Sequence, residues 1–198
     1  MNLYYYRIHH AGRVYTHYEI ASSADQIYND GETVYELTDA EMTDEVMIKC
    51  FEQATDYDND QLTLYLLKRF PTLITEEVFK TLLNNILPQS FDYALDYLSD
   101  NTLVPELMVV AARYHDTEAF NSLFKHGHKD DGQALAIVCK DGNRELFDLL
   151  LPHSDVENAC FVHQGNNKEW LEHEISHKQR LRLLEEVAPG KQEQRRKL

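Results

Sequence analysis

The chain has 198 residues, 43% of them apolar, enough to bury a core in one domain or in one domain with a small appendage. Its 34 acids against 19 bases give a net charge of −15, a field that repels phosphate and argues against direct nucleic-acid binding by the body of the protein. The longest apolar run, 107–112, is far short of a membrane span, residues 1–7 lack the basic-then-apolar order of a secretion signal, and Cys50, Cys139 and Cys160 are odd in number and scattered, so a reduced, cytoplasmic protein is expected.

Residues 1–37 hold seven of the twelve tyrosines and an alternating stretch, 13–20, that reads as strand. Candidate strands at 3–8 and 13–20 flank the turn His9-His10-Ala11-Gly12, 24–28 suits a short helical turn, and Asn29-Asp30-Gly31 precedes a third strand at 32–37. Such a small β-rich element is marginal alone and is expected to pack on the rest of the chain.

From residue 38 the pattern is helical. Thr38 with Glu41 forms a capping box, stapled by Leu37 and Met42, so the first helix is expected to begin there or at Thr43. Thr43-Asp44-Glu45-Val46 has an echo 32 residues on in Thr75-Glu76-Glu77-Val78, both threonines being able to cap with an acidic pair in the first turn. Second helices follow at 61–67 and 92–98, and Pro71, Pro88 and Pro105 fall between helices. From Val104 the copies tighten: 111–120 aligns 27 residues ahead with 138–147, and a weaker copy runs 161–171. The expectation is a mainly α chain of about five helical hairpins, 38–188, behind a small N-terminal β-rich (α+β) element, 1–37, and ahead of a basic, disordered tail, 189–198, that holds four bases and one acid.

The stretch 131–158 resembles an ankyrin repeat. Its residues are a leading Asp131-Gly132, Leu135 and the small or apolar pair Val138-Cys139 in a first helix, Gly142-Asn143 at a turn, Glu145-Leu146-Phe147 and Leu149-Leu150-Leu151 in a second helix, then Asp155-Val156-Glu157-Asn158. The family's Thr-Pro-Leu-His start is absent. The resemblance implies an ankyrin-like stack of antiparallel helix pairs whose open face binds another protein without catalysis.

Few constellations carry chemistry. His173-Glu174-Ile175-Ser176-His177 places two imidazoles at i and i+4 with a glutamate between them, the core string of a zinc peptidase. Polar Glu172, Lys178 and Gln179 flank it, and the downstream third ligands are only Glu185, Glu186 and Glu193, so His173 and His177 stand as the alternative metal pair and no metal or cofactor is expected. Asp56-Tyr57-Asp58-Asn59-Asp60 opens like a calcium loop, but Gln61 and Leu67 stand where the glycine and the bidentate Glu belong, which leaves an acidic linker. Asp92, Asp96 and Asp100 share a face, a wet face or a row imitating phosphates. His9, His10 and His17 need not converge; His126, His128 and His153 fall at hairpin ends; Trp170 heads the last amphipathic helix.

The function expected is that of a non-enzymatic acidic module that binds, and inhibits or sequesters, a protein partner with a basic surface, with no nucleic acid and no membrane involved. Contacts are expected at hairpin tips and first helices, through Arg113, Tyr114, Asp130, Asp131, Gln133, Lys140, Asp141 and Gln164. Alternatives are a phage or microbial inhibitor imitating DNA, the zinc peptidase, and a structural component that self-associates through its tyrosine-rich sheet.

Overall fold

The computed structural model describes residues 1–11, 13–27, 33–38, 41–99 and 101–187, the last seven by backbone alone. The basic tail expected at 189–198, Asn29-Asp30-Gly31 and Asp100 lie outside the described residues. The protein is mainly helical, with one three-stranded antiparallel sheet at its N-terminus. Two compact units are distinguished, the first comprising Met1–Leu103 with Asn121–His126 and the second Val104–Phe120 with Gly127–Leu198.

In the first unit, β1 (Asn2–His10) and β2 (Arg13–Ala21) pair in unbroken register from Asn2↔Ala21 to His10↔Arg13, and β3 (Tyr35–Glu36) adds to the other side of β1. Ala11, with φ +51°, supplies the left-handed step that a tight hairpin requires. Alternation sends Tyr4, Tyr6 and Ala21 to one face, where they form a core with Ile27, packed by Ala24 and Val34. The third strand is shorter than the sequence suggested. Thr38 does meet Glu41, N–H and hydroxyl both donating to Glu41 Oε2 at 2.9 and 2.6 Å, but this closes a turn. Helix α1 (Asp44–Asp56) starts later, capped by Thr43. Thr75, the expected counterpart cap, makes no side-chain bond to its helix.

The helices α2 (Asp60–Arg69), α3 (Glu76–Asn84), α4 (Pro88–Leu95), α5 (Val104–Tyr114), α6 (Thr117–Lys125), α7 (Gln133–Asp141), α8 (Arg144–Leu150), α9 (Val156–Val162) and α10 (Lys168–Val187) come next in the chain. Four of their joins are one turn made four times. A left-handed residue ends α1, α3, α5 and α7 in turn: Asp58, Ile86, His115 and Gly142, with φ of +52°, +51°, +54° and +74°. Its N–H donates three residues back (to Thr55, Leu83, Ala112 and Cys139, 3.1–3.2 Å). The next N–H donates five residues back (to Ala54, Leu82, Ala111 and Val138, 2.8–3.3 Å). This is the Schellman closure, which satisfies the last carbonyls of a helix. The following helix is then capped by Asn59, Asp116 or Asn143, or opened by Pro88.

Burial keeps the same register. The residues receiving those bonds are buried in every copy, as are the pairs four and five positions after the left-handed residue: Leu62-Thr63, Ser90-Phe91, Ala119-Phe120 and Leu146-Phe147. Each fully buried Leu or Phe of this set contributes about 2 kcal/mol of apolar burial. Within the first unit α2 packs on α4; within the second, α7 packs on both α5 and α9, and α10 on α9 and α7. No helix among the described residues is long and apolar enough to cross a membrane.

Candidate docking surface

The second unit brings its successive turns side by side. His115 Nε2, in the turn after α5, lies 3.6 Å from Asp141 Oδ2 in the turn after α7. The next step is closer: Asn167 Nδ2 donates to Cys139 C=O at 2.9 Å and Cys139 Sγ donates to Asn167 C=O at 3.0 Å. The chain lies so near at Gly165 that a Cβ there would stand 2.9 Å from Lys140 Cγ. Burial raises the Cys139 thiol to about 11, so it serves as a neutral donor.

Five of the eight expected contact residues fall on this row. Arg113 and Tyr114 end α5, Lys140 and Asp141 end α7, and Gln164 precedes Asn167; all five are exposed, Tyr114 by 52%. Phe161, one turn before Gln164 on α9, is 88% exposed. No role is assigned to it by the sequence, and no pattern in so short a helix marks it as outward.

The other three sit at the opposite end of α7, about 12 Å away at 1.5 Å per residue, where Gln133 is exposed, Asp131 partly so and Asp130 buried. Asp130 is 3% exposed, not a surface contact: its carboxylate accepts from Ala134 N–H and Leu135 N–H at 3.0 Å each, capping α7 from within. Burial pushes its carboxyl upward, opposed by those backbone donors. Its main chain forms a parallel bridge with Ser154, Asp130 N–H donating to His153 C=O at 3.0 Å and Asp155 N–H to Asp130 C=O at 3.1 Å. Asp131 accepts from Gln133 N–H and Nε2, and its carbonyl takes Asn158 Nδ2 at 2.6 Å. Between them Gly132, at φ +103°, lets this segment touch the next: an added Cβ would stand 2.5 Å from Asp155 C=O and 2.6 Å from Ala159 N.

The other motifs resolve into structural roles or stand apart from this row. His173 and His177 share a helix face with rings stacked 6.5 Å apart, and His173 Nδ1 lies 3.4 Å from Glu174 Oε1. No group of three His, Cys, Asp or Glu among the described residues is arranged to hold a metal, and the side chains of Glu185, Glu186 and Glu193 lie outside them. The acidic linker is structural: Asp58 takes the left-handed step, Asn59 caps α2, and Asp60 accepts from Gln89 N–H, Ser90 N–H and the Ser90 hydroxyl at 2.5–2.9 Å, capping α4 from 30 residues away. Asp92 and Asp96 are not a bare row: Lys125 Nζ lies 2.7 Å from Asp92, and His126 lies 3.3 Å from Asp92 and 3.7 Å from Asp96. Lys125 holds the Asp92 carboxyl below its usual range. Trp170 packs edge-on to Phe147, with the Arg144 guanidinium over both rings.

Charge is divided unevenly between the units. The first contains 18 acids and 7 bases, the second 16 and 12. The chain matches no protein-family model, no curated protein and no solved structure.

Proposed function

We propose that this chain is a non-enzymatic interaction module of ankyrin-like helical repeats that docks on a basic surface of another protein and, by occupying it, inhibits or sequesters that partner in the cytoplasm. The observation that carries the reading is the row of adjacent turns: Cys139 and Asn167 exchange two hydrogen bonds that tie one turn to the next, while Arg113, Tyr114, Lys140 and Gln164 project to solvent. A surface tied by its own hydrogen bonds loses little entropy on binding, and an exposed Tyr and Arg are the side chains that anchor protein interfaces. The net charge of −15 supplies attraction to a basic partner before contact.

The test is a partner captured from the native cell, purified and titrated against the wild-type chain and a combined Arg113→Ala, Tyr114→Ala, Lys140→Ala, Gln164→Ala variant. The variant is expected to bind at least about 30-fold more weakly, and wild-type affinity to fall steeply between about 0.05 and 0.5 M salt. Undiminished binding by the variant, or affinity indifferent to salt, overturns the proposal.

A further inference from the structure

Among the described residues the sheet order β2-β1-β3 leaves the outer side of β2 without a strand. On that side the Tyr18 main chain is paired by a glutamine of α1: Tyr18 N–H donates to Gln53 Oε1 and Gln53 Nε2 donates to Tyr18 C=O, each at 3.1 Å. A side-chain amide here makes the two bonds that a residue of a neighbouring strand would make. Main-chain groups alternate sides along a strand, so Thr16 and Val14 direct their N–H and C=O the same way as Tyr18. The unbroken β1–β2 register leaves no bulge to disturb this. Among the described residues nothing bonds the Val14 or Thr16 main chain on that edge.

Beside the edge runs an open groove of about 690 Å³, whose other wall is α1 through Lys49, Glu52, Gln53 and Asp56, with Tyr57 just after the helix. Its apolar lining is open to solvent: Ile8, Tyr15, Val14 and Tyr57 are 40%, 49%, 55% and 70% exposed. Proteins blunt free edges with charge, proline or a bulge, and this edge has none of these at 14–18. On α1, Lys49 is held by Glu45 at 2.6 Å, while Glu52 and Asp56, one turn apart, have no ion-pair partner among the described residues.

The geometry points to strand addition: an extended, basic segment of a partner protein lies along β2, pairing with Val14 and Thr16, seating apolar side chains on Ile8 and Tyr15, and placing a Lys or Arg between Glu52 and Asp56. The groove's unpaired carboxylates select the cationic occupant. A second copy of this chain is disfavoured, because two first units with 18 acids and 7 bases apiece repel. This surface belongs to the first unit and shares with the turn-row reading only the sign of the partner's charge, so one can fail while the other stands.

The test uses the full chain and a fluorescent peptide of about eight alternating Lys and Val residues, with two controls: the Glu-Val counterpart, and the Lys-Val peptide N-methylated at alternate amides. The Lys-Val peptide is expected to bind and to slow hydrogen exchange at the Val14 and Thr16 amides. N-methylation and the Glu-Val sequence are each expected to weaken binding at least tenfold, as is a Glu52→Lys, Asp56→Lys variant, while the four-site turn variant binds normally. Equal binding of the N-methylated or acidic peptide, unchanged exchange at Val14 and Thr16, or concentration-dependent dimerisation through this edge in light scattering overturns the proposal.

Discussion

The first and second units close their helices with the same left-handed turn, yet tie one helix pair to the next by different chemistry. In the first, a side chain makes the tie, Asp60 capping α4 at Gln89 and Ser90. In the second, the main chain joins in, through the Asp130↔Ser154 bridge and the close approach at Gly132, beside the side-chain bonds of Asn158 and Asn167. A backbone tie demands glycine and Asp at fixed places, whereas a side-chain tie demands only one acceptor within reach. For that reason 131–158 reads as a repeat from its residues while the copies before Val104 read only as a period: the same turn is built there from different residues.

Gly132→Ala should disrupt the second unit's tie most severely. The new Cβ would overlap Asp155 C=O and Ala159 N at a φ that disfavours side chains, and a loss of about 3 kcal/mol is expected, read as a lowered midpoint in urea. Asp60→Ala should weaken the first unit's tie somewhat less, by about 2 kcal/mol, because the Gln89 N–H is exposed and can turn to water while the N–H and hydroxyl of fully buried Ser90 lose their acceptor. Ile86→Gly should act in the opposite direction. Ile86 is a β-branched residue at φ +51° and 58% exposed, so the substitution gives it the residue that Gly142 already has, and a gain of about 1 kcal/mol in the same measurement is expected. A loss there would mean the two turns are not equivalent.

Titration and reactivity give smaller effects. Because Lys125 lowers the folded-state value of Asp92, that carboxylate's contribution is complete above its unfolded value and is lost as pH falls through its folded one. Asp92→Asn should therefore flatten the acid limb of stability below about pH 4, as followed by circular dichroism. At neutral pH the same variant should lack the charged pair with Lys125, a loss of at most about 1 kcal/mol for so exposed a contact. Among the thiols, burial raises Cys50 to about 12 and Cys139 to about 11, while Cys160 is partly exposed. Maleimide labelling of the folded protein, read by peptide mass, should modify Cys160 before either of the others.

The hairpin, the turn near residue 58 and the closing Gly142-Asn143 are legible in the sequence because each is specified by neighbours within a few positions. The capping box at Thr38 is legible as a contact but not as a helix start, since Thr43 offers a second cap five residues on. Asp130 reads as a surface residue because an Asp-Gly pair beside it signals an exposed turn, whereas its burial depends on Ser154, 24 residues later. Asp60's role depends likewise on Ser90, and the open edge of β2 on a strand order that alternation alone does not encode. Periodic and local features are written in neighbouring residues; the pairings that escape such a reading are set by the packing of one copy on the next.

The functional reading rests on the row of adjacent turns, and its sharpest test is amide hydrogen exchange of the chain with and without its captured partner. Binding is expected to slow exchange around 113–116, 140–143 and 163–167 while leaving the Asp130 to Gln133 end of α7 unchanged. Slowing confined to that opposite end, or to α10, would refute it.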